Sequence, residues 1–105
     1  DICYGINQEN KPQFIFSDLI RQHIIKCPIV IEDYQLNQID QGIFEIAITP
    51  ILNDKDKLTF ETHMNALFKK LNCFSPSWQW LENVKEKYFN KKRRIQCLIS
   101  KKDLG

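Results

Sequence analysis

Residues 43–52 read Ile-Phe-Glu-Ile-Ala-Ile-Thr-Pro-Ile-Leu, and their pattern decides the kind of fold that we expect. Large apolar side chains at 44, 46 and 48 alternate with smaller or polar ones at 45, 47 and 49. A period of two is typical of a β-strand that packs one face on a core and leaves the other partly open. Pro50 has no N–H for a ladder, so the strand should end there or lie at a sheet edge.

Further strands are predicted on both sides of this one. The turn residues Asp40-Gln41-Gly42 precede it, and residues 29–35 before them are β-branched and aromatic, which favours a strand. Short apolar stretches at 2–6, 13–16 and 95–99 predict three more strands. The chain therefore has enough strand segments for one small sheet.

Three helices are predicted between the strands. The first covers 18–26, with Ser17 as its N-cap and Pro28 as its stop. A polar stretch at 53–57 is expected to be a surface loop, and the second helix then covers about 60–72 with Thr59 as its cap. The second helix has one apolar face, formed by Phe60, Met64, Leu67, Phe68 and Leu71.

The third helix is expected to open at Ser75-Pro76 and to run to about Asn90, with Ser75 as the cap and Pro76 at the first helical position. Trp78 would lie on its buried stripe. Trp80 would point about 200° away, at roughly 100° per residue, and would either pack under residues 53–57 or be exposed. An exposed Trp is a common anchor of protein interfaces.

The predicted element order is β-β-α-β-β-α-α-β. This order indicates the α+β class, with a small, mainly antiparallel sheet packed by about three helices. A length of 105 residues predicts a single domain over 1–105. The longest apolar runs are far shorter than the 18 or so residues of a membrane span, so no membrane segment is expected.

Charge is distributed unevenly along the chain. Residues 28–68 have a net charge of −5, whereas residues 85–105 have a net charge of +6. Such asymmetry favours a charged partner, although two solvated faces of one domain would show the same pattern. A negative surface is suited to a basic protein, for example the phosphate-binding face of a nuclease.

Residues that carry chemistry are sparse. The chain has 2 His, 3 Gly and 4 Cys, with no glycine-rich phosphate loop and no metal-ligand spacing of His and Cys. Glu61 and His63 diverge by about 200° on a helix, so they cannot aim at one substrate. We therefore expect no catalytic residues, no metal and no cofactor. The cysteines are expected to be free thiols in a reducing compartment; two disulfides in a secreted protein are the alternative.

One alternative function rests on the basic run near the carboxyl end. Its cations are typical of phosphate contacts, and aromatic residues precede them; the predicted contacts are Lys91, Lys92, Arg93 and Arg94. A nucleic-acid-binding module would use this run. A non-catalytic subunit of a larger assembly is a further alternative, and an exposed apolar patch would mark it.

The layout of residues 43–89 resembles that of small bacterial immunity proteins. The similarity lies in a strand ending in Phe44-Glu45-Ile46-Ala47-Ile48-Thr49-Pro50, a polar loop with an amphipathic helix, and Ser77-Trp78-Gln79-Trp80-Leu81 leading to Tyr88-Phe89. Such proteins protect a cell against polymorphic or contact-dependent growth inhibition toxins. The resemblance implies a cytoplasmic protein that is not an enzyme and that binds the C-terminal domain of one cognate toxin.

The acidic middle of the chain and one tryptophan are the predicted contacts for such a partner. We expect this partner to be a nuclease domain, because a nuclease is basic where it holds phosphates. These residues share either a carboxylate or an anchoring ring, and they are Glu32, Asp33, Asp40, Glu45, Asp54, Asp56, Glu61 and Trp80. They are expected to cover the active site of the toxin or a neighbouring surface.

Overall fold

The computed structural model describes residues 2–82 and 94–99. Within these ranges the chain forms six strands and two helices. In chain order they are β1 (Ile2–Ile6), β2 (Pro12–Phe16), α1 (Ser17–Ile25), β3 (Asp33–Asp40), β4 (Ile43–Thr49), α2 (Asp54–Lys70), β5 (Ser77–Trp80) and β6 (Arg94–Cys97). The α+β class that the sequence predicts is confirmed. Among the described residues, no helix combines the length and apolarity that crossing a membrane would require.

The strands form a sheet of four and a hairpin of two. The larger sheet has the order β5-β4-β3-β6, in which β3 and β4 are antiparallel while both outer strands pair in parallel with their neighbours. The smaller sheet is the antiparallel hairpin β1-β2. The larger sheet is therefore mixed, and the expectation of a mainly antiparallel sheet is wrong for it.

The side chain of Gln38 links the hairpin to the larger sheet. Gln38 on β3 accepts a hydrogen bond from the Tyr4 backbone N–H through Oε1 (2.8 Å) and donates from Nε2 to the Tyr4 carbonyl (2.7 Å). Both partners are the backbone groups that a neighbouring strand would use. The side chain of Gln38 is fully buried, so these bonds satisfy polar groups that water does not reach.

The core lies between one face of the larger sheet and the two helices. Phe44 on β4 packs against Phe68 of α2, with ring centroids 5.9 Å apart, and Phe60 of α2 is also fully buried. These rings come from the alternating face of β4 and from the apolar face of the second helix, as their spacing predicts. The other face of the sheet is more buried than its polar pattern suggests, because Gln35, Asn37 and Ala47 are at most 1% exposed.

The third predicted helix is wrong where the structure describes it. Residues 77–80 form β5, which pairs in parallel with β4, so Ser75 and Pro76 precede a strand. The ladder to β4 and the packing of both tryptophans outweigh the local helical signal. The remainder of that prediction, residues 83–90, lies outside the described residues.

Helix boundaries also differ from the sequence-based expectation. The second helix begins at Asp54, and Asn53 caps it by accepting a hydrogen bond from the Asp56 N–H (2.7 Å). The expected loop at 53–57 is therefore the cap and the first turn of α2, and Thr59 is inside the helix. The first helix begins at Ser17, so Phe16 is at the N-cap position and makes no side-chain cap. The strand predicted at 29–35 begins later and is β3.

Candidate partner-binding surface

Four of the predicted acidic contacts lie at one end of the molecule, which we call the acidic end: Glu32, Asp33, Asp54 and Asp56. The beginning of β3 and the end of β4 meet there, because the Glu32 N–H donates to the Thr49 carbonyl (2.9 Å) and Asp33 is opposite Thr49 in the ladder. Only residues 50–53 separate Thr49 from α2. The sheet end and the first turn of α2 are therefore adjacent.

The carboxylates of α2 have a structural role as well. Asp54 and Asp56 lie in the first turn, where negative charge interacts favourably with the helix dipole. Asp56 is also close to Cys27, which follows α1. Burial raises the pKa of the Cys27 thiol, a hydrogen bond with the Ile29 backbone opposes this, and the charge of Asp56 raises the pKa further. The end of α1 thus borders the acidic end.

Trp80 and Glu61 are brought together beside this end. The indole Nε1–H of Trp80 donates to Glu61 Oε2 (2.9 Å), and the ring packs edge-on against Phe60 at 5.5 Å between centroids. Lys57 Nζ lies 5.5 Å from the centre of the Trp80 ring, a distance typical of a cation–π contact. Trp80 is therefore half-buried and held on three sides, and Lys57 from the 53–57 stretch covers it.

Two apolar side chains beside the acidic end were not predicted as contacts. Ile51 is 69% exposed and Leu58 is 66% exposed. Ile51, Lys57, Trp80 and Glu82 line a small cavity of about 40 Å³. The exposure of Leu58 could have been predicted from helical spacing. Leu58 is two positions before the buried Phe60, so on a helix that starts at Asp54 its side chain points away from the buried face.

Asp40 and Glu45 are not part of the acidic end. Asp40 closes β3 at its opposite end, seven residues from Asp33, which corresponds to about 23 Å of strand. Its Oδ1 accepts a hydrogen bond from the Gln41 N–H (2.7 Å), so it shapes the turn before β4. Glu45 is half-buried at mid-strand, opposite Asn37, on the sheet face that points away from the helices.

The alternative basic contacts are only partly described. Lys91, Lys92 and Arg93 lie outside the described residues. Arg94 is the first residue of β6, where it is half-buried and donates from Nε to Gln96 Oε1 at 3.4 Å. The described residues therefore place one of the four predicted nucleic-acid contacts, and that one is in a strand.

The two histidines bind each other's helices. His23 Nε2 of α1 lies 2.6 Å from the His63 carbonyl of α2, and His63 Nε2 lies 2.6 Å from the His23 carbonyl. A carbonyl only accepts, so each ring must carry a proton on Nε2. The rings stack with centroids 4.0 Å apart. His63 therefore points to α1 while Glu61 points to Trp80, as their spacing on one helix predicts.

The cysteines are free thiols. Burial, with a smaller contribution from Cys97, raises the pKa of Cys3 to about 12. Burial also raises the pKa of the Cys73 thiol. Thiols with raised pKa values are protonated at neutral pH and are weak nucleophiles. Among the described residues, no three His, Cys, Asp or Glu side chains are grouped as the ligands of a metal ion would be.

Comparisons with known proteins identify no relative from which a role could be transferred. The chain matches no protein-family model, no curated protein and no solved structure.

Proposed function

We propose that the protein is a cytoplasmic immunity protein that binds a cognate toxin domain and neutralises it without catalysis. The single observation that carries this proposal is the acidic end, where Glu32 and Asp33 at the start of β3 lie near Asp54 and Asp56 in the first turn of α2. Glu32 and Asp54 are exposed, and Asp33 and Asp56 are half-buried. A toxin domain that holds phosphates needs a basic site, and a negative surface can cover such a site.

Exposed apolar groups beside the carboxylates support the same interpretation. Ile51 and Leu58 offer apolar area next to the charges, and the half-buried Trp80 is fixed by its hydrogen bond to Glu61. Interfaces combine a desolvated apolar centre with a charged rim, and a preordered ring loses little entropy on binding. We therefore expect the apolar side chains to supply most of the affinity and the carboxylates to supply the association rate and the choice of partner.

Charge reversal at the acidic end tests the proposal. The variant Glu32→Lys with Asp54→Lys changes the charge by four units at exposed positions. We expect its association with the toxin domain encoded by the neighbouring gene to slow by at least about tenfold at low salt, because steering depends on the complementary field. Stopped-flow binding and rescue of cells that express this toxin domain are the two measurements.

A matched control separates local charge from net charge. Glu9→Lys with Asp40→Lys changes the charge by the same four units at exposed sites away from the acidic end. This control should bind within about twofold of the unmodified protein. Equal effects of the two variants, or a neighbouring gene that encodes no toxin, would refute the proposal. Salt-sensitive retention on DNA that is lost when residues 91–94 become alanine would favour the nucleic-acid alternative.

A further inference from the structure

The outer edge of β2 is a second surface, which we call the Phe edge. Among residues 2–82 and 94–99, β2 pairs with β1 on one side only, and the order of this sheet is β1-β2. Phe14 and Phe16 project from one face of β2 and are 65% and 64% exposed. Across the hairpin they are opposite Tyr4 and Ile2, respectively. An exposed strand edge with aromatic side chains is a template for pairing with another strand.

The opposite face of the same strand fixes this orientation. Ile15 lies between the two phenylalanines and is 1% exposed, and its cross-strand neighbour Cys3 is fully buried. Because side chains alternate along a strand, burial of Ile15 obliges both phenylalanines to face outward. Phe14 packs edge-on against the buried Tyr4 at 5.3 Å, but the large exposed area of both phenylalanines goes beyond this contact, since polar residues would also suit an outward face.

Protective features of the edge are few. Residues 12–16 contain no charged side chain, although charges are the usual means of keeping an edge strand from pairing. Pro12 is the one such feature, and it stands at the first residue of β2, which leaves 13–16 free to form a ladder.

We propose that β2 pairs in antiparallel fashion with β2 of a second copy of this chain. A twofold axis through the middle of the pair would place the phenylalanines of both copies on one face. Lys11 and Asp18 flank the strand, and antiparallel pairing brings Lys11 of each copy towards Asp18 of the other, which also forms an ion pair with Arg21 of its own chain (2.9 Å). Parallel pairing would bring like charges together.

The area available fits a weak dimer. Phe side chains bury 150–250 Å² each, so four rings that are about two thirds open contribute on the order of 500 Å². Ile2 and Leu19, which are 37% and 40% exposed, and the two backbones add to this area. The total approaches the ~1,000 Å² that a specific interface needs, so we expect dissociation in the micromolar range.

Sedimentation of the protein from about 1 µM to about 1 mM tests the dimer. The weight-average mass should rise from 12.5 kDa towards twice that value. The variant Phe14→Ser with Phe16→Ser should dissociate at least tenfold more readily. The control Ile51→Ser with Leu58→Ser removes equally exposed apolar groups elsewhere and should leave the dimer unchanged.

Folding of the variants is checked by thermal unfolding. Phe14 contacts Tyr4 edge-on at 5.3 Å, so its loss costs some packing, whereas the single variant Phe16→Ser places a good capping residue before α1. Phe16→Ser alone should weaken the dimer while keeping the fold. A monomer at every concentration, or a dimer that both Phe variants leave intact, would overturn the proposal.

Discussion

Gln38 makes with one side chain the contacts that a strand makes with its backbone. Its amide closes a two-bond ring with Tyr4 and thereby attaches the β1-β2 hairpin to β3. Glutamine is suited to this position because its amide carries a donor and an acceptor side by side, as a peptide group does. Sequence reasoning did not find this role, since a polar residue within a strand is ordinarily assigned to the solvent face.

Replacement of Gln38 by leucine should therefore destabilise the fold strongly. The change leaves the N–H and the carbonyl of Tyr4 buried without partners, which costs about 2–5 kcal/mol in the free energy of unfolding. Urea unfolding of the variant measures this cost. The exposed Gln79 on β5 provides the control, and Gln79→Leu should change the free energy of unfolding by less than about 0.5 kcal/mol. A Gln38→Leu protein as stable as the control would show that the hairpin does not depend on this amide.

The packing of α1 on α2 should make the stability of the protein depend on pH. Burial lowers the pKa of His23, the bond to the His63 carbonyl opposes this effect, and charges at His63, Lys26 and Lys70 lower the pKa further. The folded state consequently binds fewer protons than the unfolded state once pH falls below the ordinary histidine pKa of 6.5. Stability from this group is complete above pH 6.5 and decreases as the solution becomes more acidic.

Replacement of His23 by glutamine tests this linkage. The amide can still donate to the His63 carbonyl but does not titrate. The unmodified protein should lose more stability than His23→Gln between about pH 7.5 and pH 5.5. Urea unfolding at both pH values measures the two differences. An equal loss in both proteins would assign the pH dependence to groups other than His23.

Elements with strong internal periodicity were predictable, and elements defined by distant partners were not. The alternation at 44, 46 and 48 correctly predicts β4, and the apolar face of residues 60–71 correctly predicts the body of α2. Residues 77–80 have helical signals but become β5. Their indoles bond to α2, from Trp78 to Asn65 (2.8 Å) and from Trp80 to Glu61 (2.9 Å). Such partners are 13 and 19 residues away, beyond the reach of local propensity.

The candidate site also combines features that local sequence predicts with features that depend on contacts between distant residues. The sequence-based assignment of residues 53–57 to a loop is wrong, and it conceals both that Asp54 and Asp56 lie in the first turn of α2 and that Leu58 is on the exposed side of this helix. The late start of β3 explains why Asp40 is not part of the acidic end. The antiparallel pairing of β3 with β4 places Asp33 beside Thr49 and Asp40 beside Ile43, at opposite ends of the two strands. A register that is wrong by a few residues therefore hides which charges share a surface.

At the scale of the whole molecule, the acidic end and the Phe edge lie at opposite ends of α1. Phe16 of the Phe edge immediately precedes this helix. Cys27 follows the helix, and its thiol pKa is raised by burial and by the charge of Asp56 at the acidic end. Nine helical residues span about 13 Å, in a molecule whose longest extent is 36 Å. This separation exceeds the distance over which substitutions ordinarily couple. One copy can therefore pair with another through β2 and still present its acidic end.

The two surfaces should consequently respond independently to substitution and to salt. We expect Phe14→Ser with Phe16→Ser to bind the toxin domain within about twofold of the unmodified protein, and Glu32→Lys with Asp54→Lys to dimerise normally near physiological salt. Salt should slow toxin association, because exposed charges are screened, but should affect the strand pair much less, because most of its contact area is apolar. Stopped-flow and sedimentation measurements across a salt series distinguish the two responses. Weaker toxin binding by the Phe variant would instead place the Phe edge within the toxin interface, because loss of apolar area there would then reduce the affinity that we assign to Ile51 and Leu58.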